Sequence, residues 1–329
     1  MVRILDAGAV GELIDEASVL ESIRELFELP TDASEIGFGR IDLAHPNGWL
    51  RSLPAYVFSK DLLGYKVLHR TEGIGMRYTI YVHRLRTGEL WGIVDALEIT
   101  NLRTGAVSAV ATDQLAVENV EVAAIIGTGP VARGQLRAID LVRPASEIRV
   151  FARTPASRDS FVSEMGGHVS GDLVAVGTLE EAVGGAQVVT LATKAASPVF
   201  GAEHMQPGMH VNSVGPASRD RVEVDPAIFG SFDRFVCDSA SLVLDEAGDA
   251  FLAVTEHGLA IDRAHELSSV IAGGSPGRQS PDEVTLFKSV GNGAQDLIVA
   301  ARVLEAAEKA GLGTEVGDVN SIKPALPGG

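Results

Sequence analysis

Val122-Ala-Ala-Ile-Ile-Gly-Thr-Gly-Pro-Val-Ala-Arg-Gly-Gln135 runs from a short apolar stretch into a glycine loop and then into helix-forming residues. The run Val122–Ile126 suits a parallel strand covered on both faces. Gly127 lets the chain turn sharply at the strand's end, and Gly129, lacking a Cβ, lets backbone approach a pyrophosphate. Ala132 lets the next helix pack close to the strand, and the helix amino terminus offers N–H groups and partial positive charge to phosphates. A glycine loop alone is weak, since a plain strand-to-helix turn has the same composition. The strand before and the helix after make Gly127-x-Gly129-x-x-Ala132 a dinucleotide fingerprint. Gly127, Thr128, Gly129, Pro130, Val131 and Ala132 are therefore the expected cofactor cradle.

Outward from this loop, strands and helices alternate as in a parallel sheet. Ile148–Ala152, Leu173–Val176, Gln187–Ala192, Val211–Val214 and Phe235–Asp238 read as further strands, with Ser157–Glu164 and Leu179–Val183 as helices. The fold class expected is α/β, a doubly wound (Rossmann) parallel sheet over residues 117–293. Residues 1–116 read as a separate, mixed α+β domain. It has one helix at Val10–Glu28, strands near Gly37–Asp42, Gly64–His69 and Tyr78–Arg84, a hairpin turn at Thr87-Gly88, and a strand at Leu90–Asp95. Thr100–Ala116 reads as a helix capped by Thr100 or Asn101. Residues 294–329 are expected to complete the first domain, with a helix over Ala294–Ala310 stopped by Gly311 and a loose tail over 311–329.

The end of the second strand is where nicotinamide cofactors are told apart, because NAD sites commonly place an acid there for the ribose hydroxyls. This chain reads Phe151-Ala-Arg-Thr-Pro-Ala-Ser-Arg158, with no carboxylate. Arg153 can stack on adenine or grip a phosphate, Thr154 can donate a hydrogen bond, and Arg158 follows one turn later. The alternative is a solvated loop with ordinary arginines. The expected cofactor is NADPH, with NADH possible, and Thr193 and Val214 at the ends of the fourth and fifth strands complete the cofactor set.

With 329 residues, 46% hydrophobic and 22% charged, the chain suits two globular domains. A formal charge of −17 argues against nucleic acid or an anionic membrane as partner. Cys237 is the sole cysteine, so intramolecular disulfides and cysteine-based metal clusters are excluded. No charged-then-apolar leader opens the sequence and no apolar run reaches spanning length, so a cytoplasmic location is expected. The histidines show no metal-ligand spacing, and no metal is expected. Gly273-Gly-Ser-Pro-Gly277 fits a nucleophile-elbow pattern, but Pro276 removes the N–H that an oxyanion hole needs, so it reads as a turn.

Lys66 in Leu63-Gly-Tyr-Lys-Val67, the segment Thr100-Asn-Leu-Arg-Thr-Gly-Ala106 and the glycine loop stand in the order and spacing of the ornithine cyclodeaminase/mu-crystallin family. Ser52-Leu-Pro-Ala-Tyr56, Val211-Asn-Ser-Val-Gly215, and Phe287-Lys-Ser-Val-Gly291 with Asp296 are similar to further motifs of that family, so the resemblance covers nearly the whole chain. It implies a homodimer whose first domain carries the substrate pocket and dimer contact, and hydride exchange at the α-carbon of an amino or imino acid. It also implies that Arg40, Lys66 and Arg103 grip the substrate carboxylate. Physical chemistry agrees, because a carboxylate removed from water needs a cation, and Lys66 between Tyr65 and Val67 would be costly without a partner. Such a lysine can also relay a proton, so Lys66 and Arg103 are the catalytic candidates. The plain alternatives are a lysine snorkelling from an edge strand and solvated arginines.

One departure narrows the chemistry. The family's cyclodeaminases carry an aspartate just after the Val-Gly pair of the fifth strand, where this sequence aligns Ala217, with Asp220 three residues later. Alanine transfers no proton, whereas cyclisation with loss of ammonia leans on well-placed bases. The expectation is an NAD(P)H-dependent reductase of an α-imino acid (ketimine), with L-amino-acid dehydrogenation as its reverse. A redox-neutral cyclodeaminase with bound NAD, and a non-catalytic NADPH-binding protein of mu-crystallin type, stand as alternatives.

Overall fold

The computed structural model describes residues 1–30, 32–215 and 217–321. In chain order it opens with β1 (Val2–Leu5), α1 (Ala7–Leu13), α2 (Glu16–Glu28), β2 (Ile36–Phe38), β3 (Ile41–His45), β4 (Gly48–Val57) and β5 (Leu62–Thr71). Next come β6 (Gly75–Arg84), β7 (Leu90–Asp95), α3 (Leu97–Leu115), β8 (Val120–Ile126), α4 (Pro130–Val142), β9 (Ala145–Phe151) and α5 (Pro155–Met165). Then follow β10 (Asp172–Ala175), α6 (Leu179–Val183), β11 (Val188–Leu191), β12 (His210–Ser213), β13 (Arg234–Cys237), α7 (Ala240–Glu246) and α8 (Gly248–Thr255). The last are β14 (Ala264–Glu266), α9 (Leu267–Ile271), β15 (Thr285–Lys288), α10 (Gly293–Ala310) and β16 (Thr314–Val316).

The chain divides into two compact units. The first comprises Met1–Asp15, Pro30–Thr100 and the chain from Asn292; the second comprises Glu16–Leu29 and Asn101–Gly291. This differs from a first boundary at 116 in two places. The apolar face of α2, with Val19, Ile23 and Phe27 buried, packs on α4 and α9 of the second unit. The division also falls inside α3 rather than after it.

The first unit is an eight-stranded sheet in the order β16-β1-β7-β6-β5-β4-β2, with β3 also paired to β4. Its pairings are antiparallel except β1 with β7. One face is covered by α10, which packs on β4, β5, β6 and β2. Gly64 permits that approach, since a Cβ there would stand 2.2 Å from the Tyr81 carbonyl oxygen and 2.8 Å from Leu297 Cδ1. The long strand β4, next to the sheet edge, accommodates Pro54 because its outer neighbour breaks between β2 and β3. There Gly39 N–H donates to the Pro54 carbonyl (2.9 Å), and the proline's missing N–H forfeits no ladder bond.

Several sequence expectations are corrected here. The single helix expected over Val10–Glu28 is two, because the chain turns extended at Ile14 (φ −105°, ψ 134°). The strand expected at Gly37–Asp42 is likewise interrupted. Helix α3 starts at Leu97, whose N–H donates to the Asp95 side chain (3.1 Å), so neither Thr100 nor Asn101 is its cap. At the far end α10 stops at Ala310 because Gly311 turns left-handed (φ 67°), and β16 then joins the sheet edge on β1 instead of a loose tail. Residues 322–329 lie outside the described residues.

The second unit is an all-parallel sheet in the order β10-β9-β8-β11-β12-β15-β13-β14. The order reverses at β8, with β9 on one side and β11 on the other, as in a doubly wound fold. Alternate residues of β8 serve two cores. Ala123 and Ile125 join Leu136, Ile148 and Phe161; Ala124 and Ile126 join Val189, Phe200 and Val211. Burial on both faces explains why β8 reads as an unbroken apolar run.

His210 on β12 is fully buried, its ring bonded to Thr285 Oγ1 (2.8 Å) and Asn212 Oδ1 (3.2 Å). Burial, with Arg278 and Arg143 nearby, holds its pKa down to about 3, against the pull of the Asn212 hydrogen bond. Between that value and the ordinary 6.5 the unfolded chain binds a proton that the fold refuses, so this contribution to stability is complete above pH 6.5 and is lost as pH falls towards about 3. The slope is about 1.4 kcal/mol per pH unit. His210→Gln should flatten the acid limb of urea stability between pH 6.5 and 4.5 by about 3 kcal/mol in total; an unchanged limb would discard this assignment.

Candidate active site

The second unit presents a nucleotide cradle at the end of β8. Gly127 takes a left-handed conformation (φ 111°), its N–H bonded to the Phe151 carbonyl (2.8 Å), and a Cβ there would stand 2.4 Å from the Ala192 carbonyl oxygen. Helix α4 then opens with Gly129 as its cap, a residue without a side chain to satisfy the first-turn N–H groups, and with Pro130 preset for the first turn. A Cβ on Gly129 would meet nothing within 4 Å, so the cap faces open space. Donors at Val131 and Ala132 beside an open glycine fit a pyrophosphate.

A cleft of about 720 Å³ lies beyond the ends of β8, β9 and β11, lined in part by Ile126, Phe151, Arg153, Leu179, Thr193 and Lys194. Ligands of doubly wound sheets bind at this reversal of strand order. Arg153 and Thr154 are exposed there; the Thr154 hydroxyl shares a hydrogen bond with Ser157 (2.5 Å). Arg158 is turned inward, donating to the Ala152 (3.1 Å) and Gly177 (3.2 Å) carbonyls and lying over the Phe151 ring. Of the three residues proposed to read the cofactor's ribose, Arg153 is the one whose cation faces the cleft.

The loops that end β11 and β12 are tied by a carboxylate to which the sequence reading gave no role. Glu223, 1% exposed, accepts from Thr193 N–H (2.6 Å), Thr193 Oγ1 (2.8 Å), Ser213 Oγ (2.9 Å) and Gly215 N–H (2.8 Å). Lys288 completes the network, donating to Ser213 Oγ (2.8 Å) and pairing with the buried Asp249 (2.7 Å). Burial raises the Glu223 pKa, opposed by the Lys288 charge and the Thr193 donors. The available signal was a charged residue flanked by Val222 and Val224. Val214, between two of these anchor points, is buried.

Helix α3 brings Arg103 into the same unit. Gly105 and Gly134 allow α3 and α4 backbones to touch, and Gln135 donates to the Thr104 carbonyl (2.9 Å). Arg103 is only 6% exposed, with its guanidinium against Gly291, so it is not a solvated helix residue.

In the first unit, β5 turns Leu62, Gly64, Lys66 and Leu68 to the buried face. Lys66 is central in the sheet, between β4 and β6, which excludes an edge-strand lysine reaching for water. Its Nζ is 2.7 Å from Asp296 Oδ1 and 3.2 Å from Thr100 Oγ1, and the Thr100 hydroxyl in turn donates to the Ala96 carbonyl (2.6 Å). Asp296 sits in the first turn of α10, where the helix dipole favours an anion. Arg40 lies half-buried at the break between β2 and β3; its charge, behind the hydrogen bonds from Arg51, helps hold Asp42 below the usual carboxylate range. Asp220 is exposed, accepting from the Ser218 hydroxyl and 3.6 Å from Arg221 Nε.

The model of the ornithine cyclodeaminase/mu-crystallin family matches residues 36–311. A Delta(1)-pyrroline-2-carboxylate reductase of Bacillus cereus is 31% identical over 272 residues, 80% of this chain and 83% of that protein. The ketimine reductase mu-crystallin of Macropus fuliginosus is also 31% identical, over 80% of this chain and 82% of its own. Among solved structures, Thermococcus litoralis Delta(1)-pyrroline-2-carboxylate reductase in complex with NADH and L-proline superposes with a TM-score of 0.89 at 31% identity, covering 95% of this chain and 100% of that one. With its glycine cradle, its all-parallel sheet and these relatives, the chain belongs to the ornithine cyclodeaminase/mu-crystallin family.

Proposed function

We propose that this protein is a nicotinamide-dependent reductase of an α-imino acid carboxylate, a cyclic ketimine such as Δ1-pyrroline-2-carboxylate, with oxidation of the L-amino acid as the reverse reaction. The observation that carries the proposal is the buried Lys66, a proton-bearing cation held in place by Asp296 and Thr100. When bound, reduced nicotinamide supplies a hydride to the imine carbon. Gly127–Ala132 would hold the pyrophosphate, with Thr193 and Val214 as further residues of the cofactor site. Arg103 offers a planar fork to the substrate carboxylate, with Arg40 as a further cation. Lys66 supplies the proton to the imine nitrogen, and Asp296 holds and aims the lysine until transfer. Alanine at 217 and the exposure of Asp220 leave the aligned position without a proton-transferring side chain, which supports net reduction over cyclodeamination.

The exposed Arg153 and the absence of an acid after β9 support a preference for NADPH. The outer face of the first unit's sheet carries Leu63 (40% exposed) and Tyr65 (37%), with Tyr65 stacked on Tyr81 at 4.9 Å; a second copy covering this apolar face makes the working form a homodimer. No helix among the described residues is long and apolar enough to cross a membrane, and we place the activity in the cytoplasm.

Purified protein should oxidise NADPH on addition of Δ1-pyrroline-2-carboxylate, and Lys66→Met should lower kcat/KM at least about 100-fold. Removing one partner of a buried pair costs about 3–5 kcal/mol, so Lys66→Met/Asp296→Asn should regain stability without regaining turnover. Near-native turnover in either variant would exclude the proton role. Arg153→Ala should raise KM for NADPH about tenfold and leave KM for NADH unchanged, as for loss of one charge-assisted contact; equal effects on both coenzymes would remove the discrimination from Arg153. Sedimentation of Tyr65→Asp should show monomer where the native protein shows dimer, and a variant still dimeric would move the interface elsewhere.

A further inference from the structure

Strand β15 is inserted between β12 and β13, so the chain leaving it passes directly over the end of β13. Asp238, the residue after β13, is 5% exposed and acts as a hub there. Its Oδ2 accepts from Ser289 Oγ (2.8 Å) and Gly291 N–H (2.8 Å), and its Oδ1 from Val290 N–H (3.2 Å) and Ser239 N–H (3.0 Å). Held this way, Gly291 is left-handed (φ 73°). A Cβ on it would stand 2.5 Å and 2.8 Å from the two terminal nitrogens of Arg103 and 3.0 Å from its Cζ. The two terminal nitrogens of Arg103 therefore occupy the space that a side chain at residue 291 would fill.

We infer that Asp238 and Gly291 are positioning residues that set the orientation of Arg103, and through it the affinity for the substrate carboxylate. The inference rests on the reading of Arg103 as carboxylate anchor. A guanidinium binds a carboxylate bidentately only in one plane, and its long side chain has many rotamers to lose. The α3 backbone fixes only the origin of that side chain. The bare backbone at Gly291 leaves the space its terminal nitrogens occupy, and the three hydrogen bonds from residues 289–291 to Asp238 hold that turn in place. A side chain at 291 meets the movable end of Arg103 rather than backbone, so the guanidinium is what gives way. Neither residue needs to touch cofactor or substrate.

Asp238→Asn keeps the shape of the hub and weakens its grip on the turn, while Gly291→Asn introduces a Cβ with a residue that tolerates a left-handed backbone. Calorimetry should give a Kd for L-proline, with saturating NADP⁺ present, raised about tenfold or more in both, with KM for Δ1-pyrroline-2-carboxylate rising in step. The Kd for NADPH, read by its fluorescence, should stay within about twofold, since no cradle residue is altered. In an Arg103→Lys background, whose slimmer head group does not press on residue 291, Gly291→Asn should add little further loss. Unchanged proline affinity in a folded Asp238→Asn variant would overturn the inference, as would an equal penalty from Gly291→Asn with and without Arg103. Native protein that binds neither L-proline nor the imine would instead overturn the reading of Arg103 beneath it.

Discussion

Charge taken out of water must be paired, and the functional parts of this molecule are organised by that constraint. Lys66, Lys288 and Arg103 are each at most 6% exposed, as are Asp296, Asp249, Glu223 and Asp238. Lys66 meets Asp296 from a helix 230 positions away in sequence, and Lys288 meets Asp249 across 39 positions. Such pairs are weak arguments for stability, because apolar residues of equal volume would serve a core as well. In the second unit Lys288, Asp238 and the hydrogen bonds of Glu223 lie at or beyond the ends of parallel strands, on the edge that carries the glycine cradle, where buried charges are common at functional sites.

The sheet topology explains why the anchors cluster. In a parallel sheet every strand delivers its carboxyl end to the same edge, so the residues following β8, β11, β12, β13 and β15 emerge together. Glu223 binds the loops after β11 and β12, and Asp238 binds the turn after β15 to the end of β13. The exposed Arg153, at the end of β9, is held by no such clamp. On the reading proposed above, the clamped strand ends would lie nearest the reacting centre and Arg153 would address the distal part of the cofactor, a division common to sites built from loops on a scaffold.

Local chemistry was legible in the sequence; distant partnership was not. The β8 loop could be read because turn, helix cap and strand are consecutive. Lys66 stood out because its neighbours in β5 are apolar, and the hairpin at Gly88 because a tight turn demands its conformation. Strand β4 was legible only as a short motif, since Pro54 argues against a central strand unless its neighbour is known to break beside it. The split between α1 and α2 carries no glycine or proline at Ile14 to announce it. Glu223 looked like one acid among many, and only the fold shows that Thr193, thirty positions earlier, supplies its donors.

That contrast bears on how substrates could diverge within this architecture. The anchors at Lys66, Asp238 and Glu223 are buried and multiply bonded, so changing any of them disturbs several partners at once. Ala217 belongs to the loop between Gly215 and Glu223, and the carboxylate already fixes the near end of that loop at Gly215. A single side chain there can change the proton chemistry on offer while the strand ends keep their geometry. On the reading proposed above, reduction and cyclodeamination would differ at this position on a common frame, because the buried pairs Lys66–Asp296 and Lys288–Asp249 are closed without a carboxylate at 217.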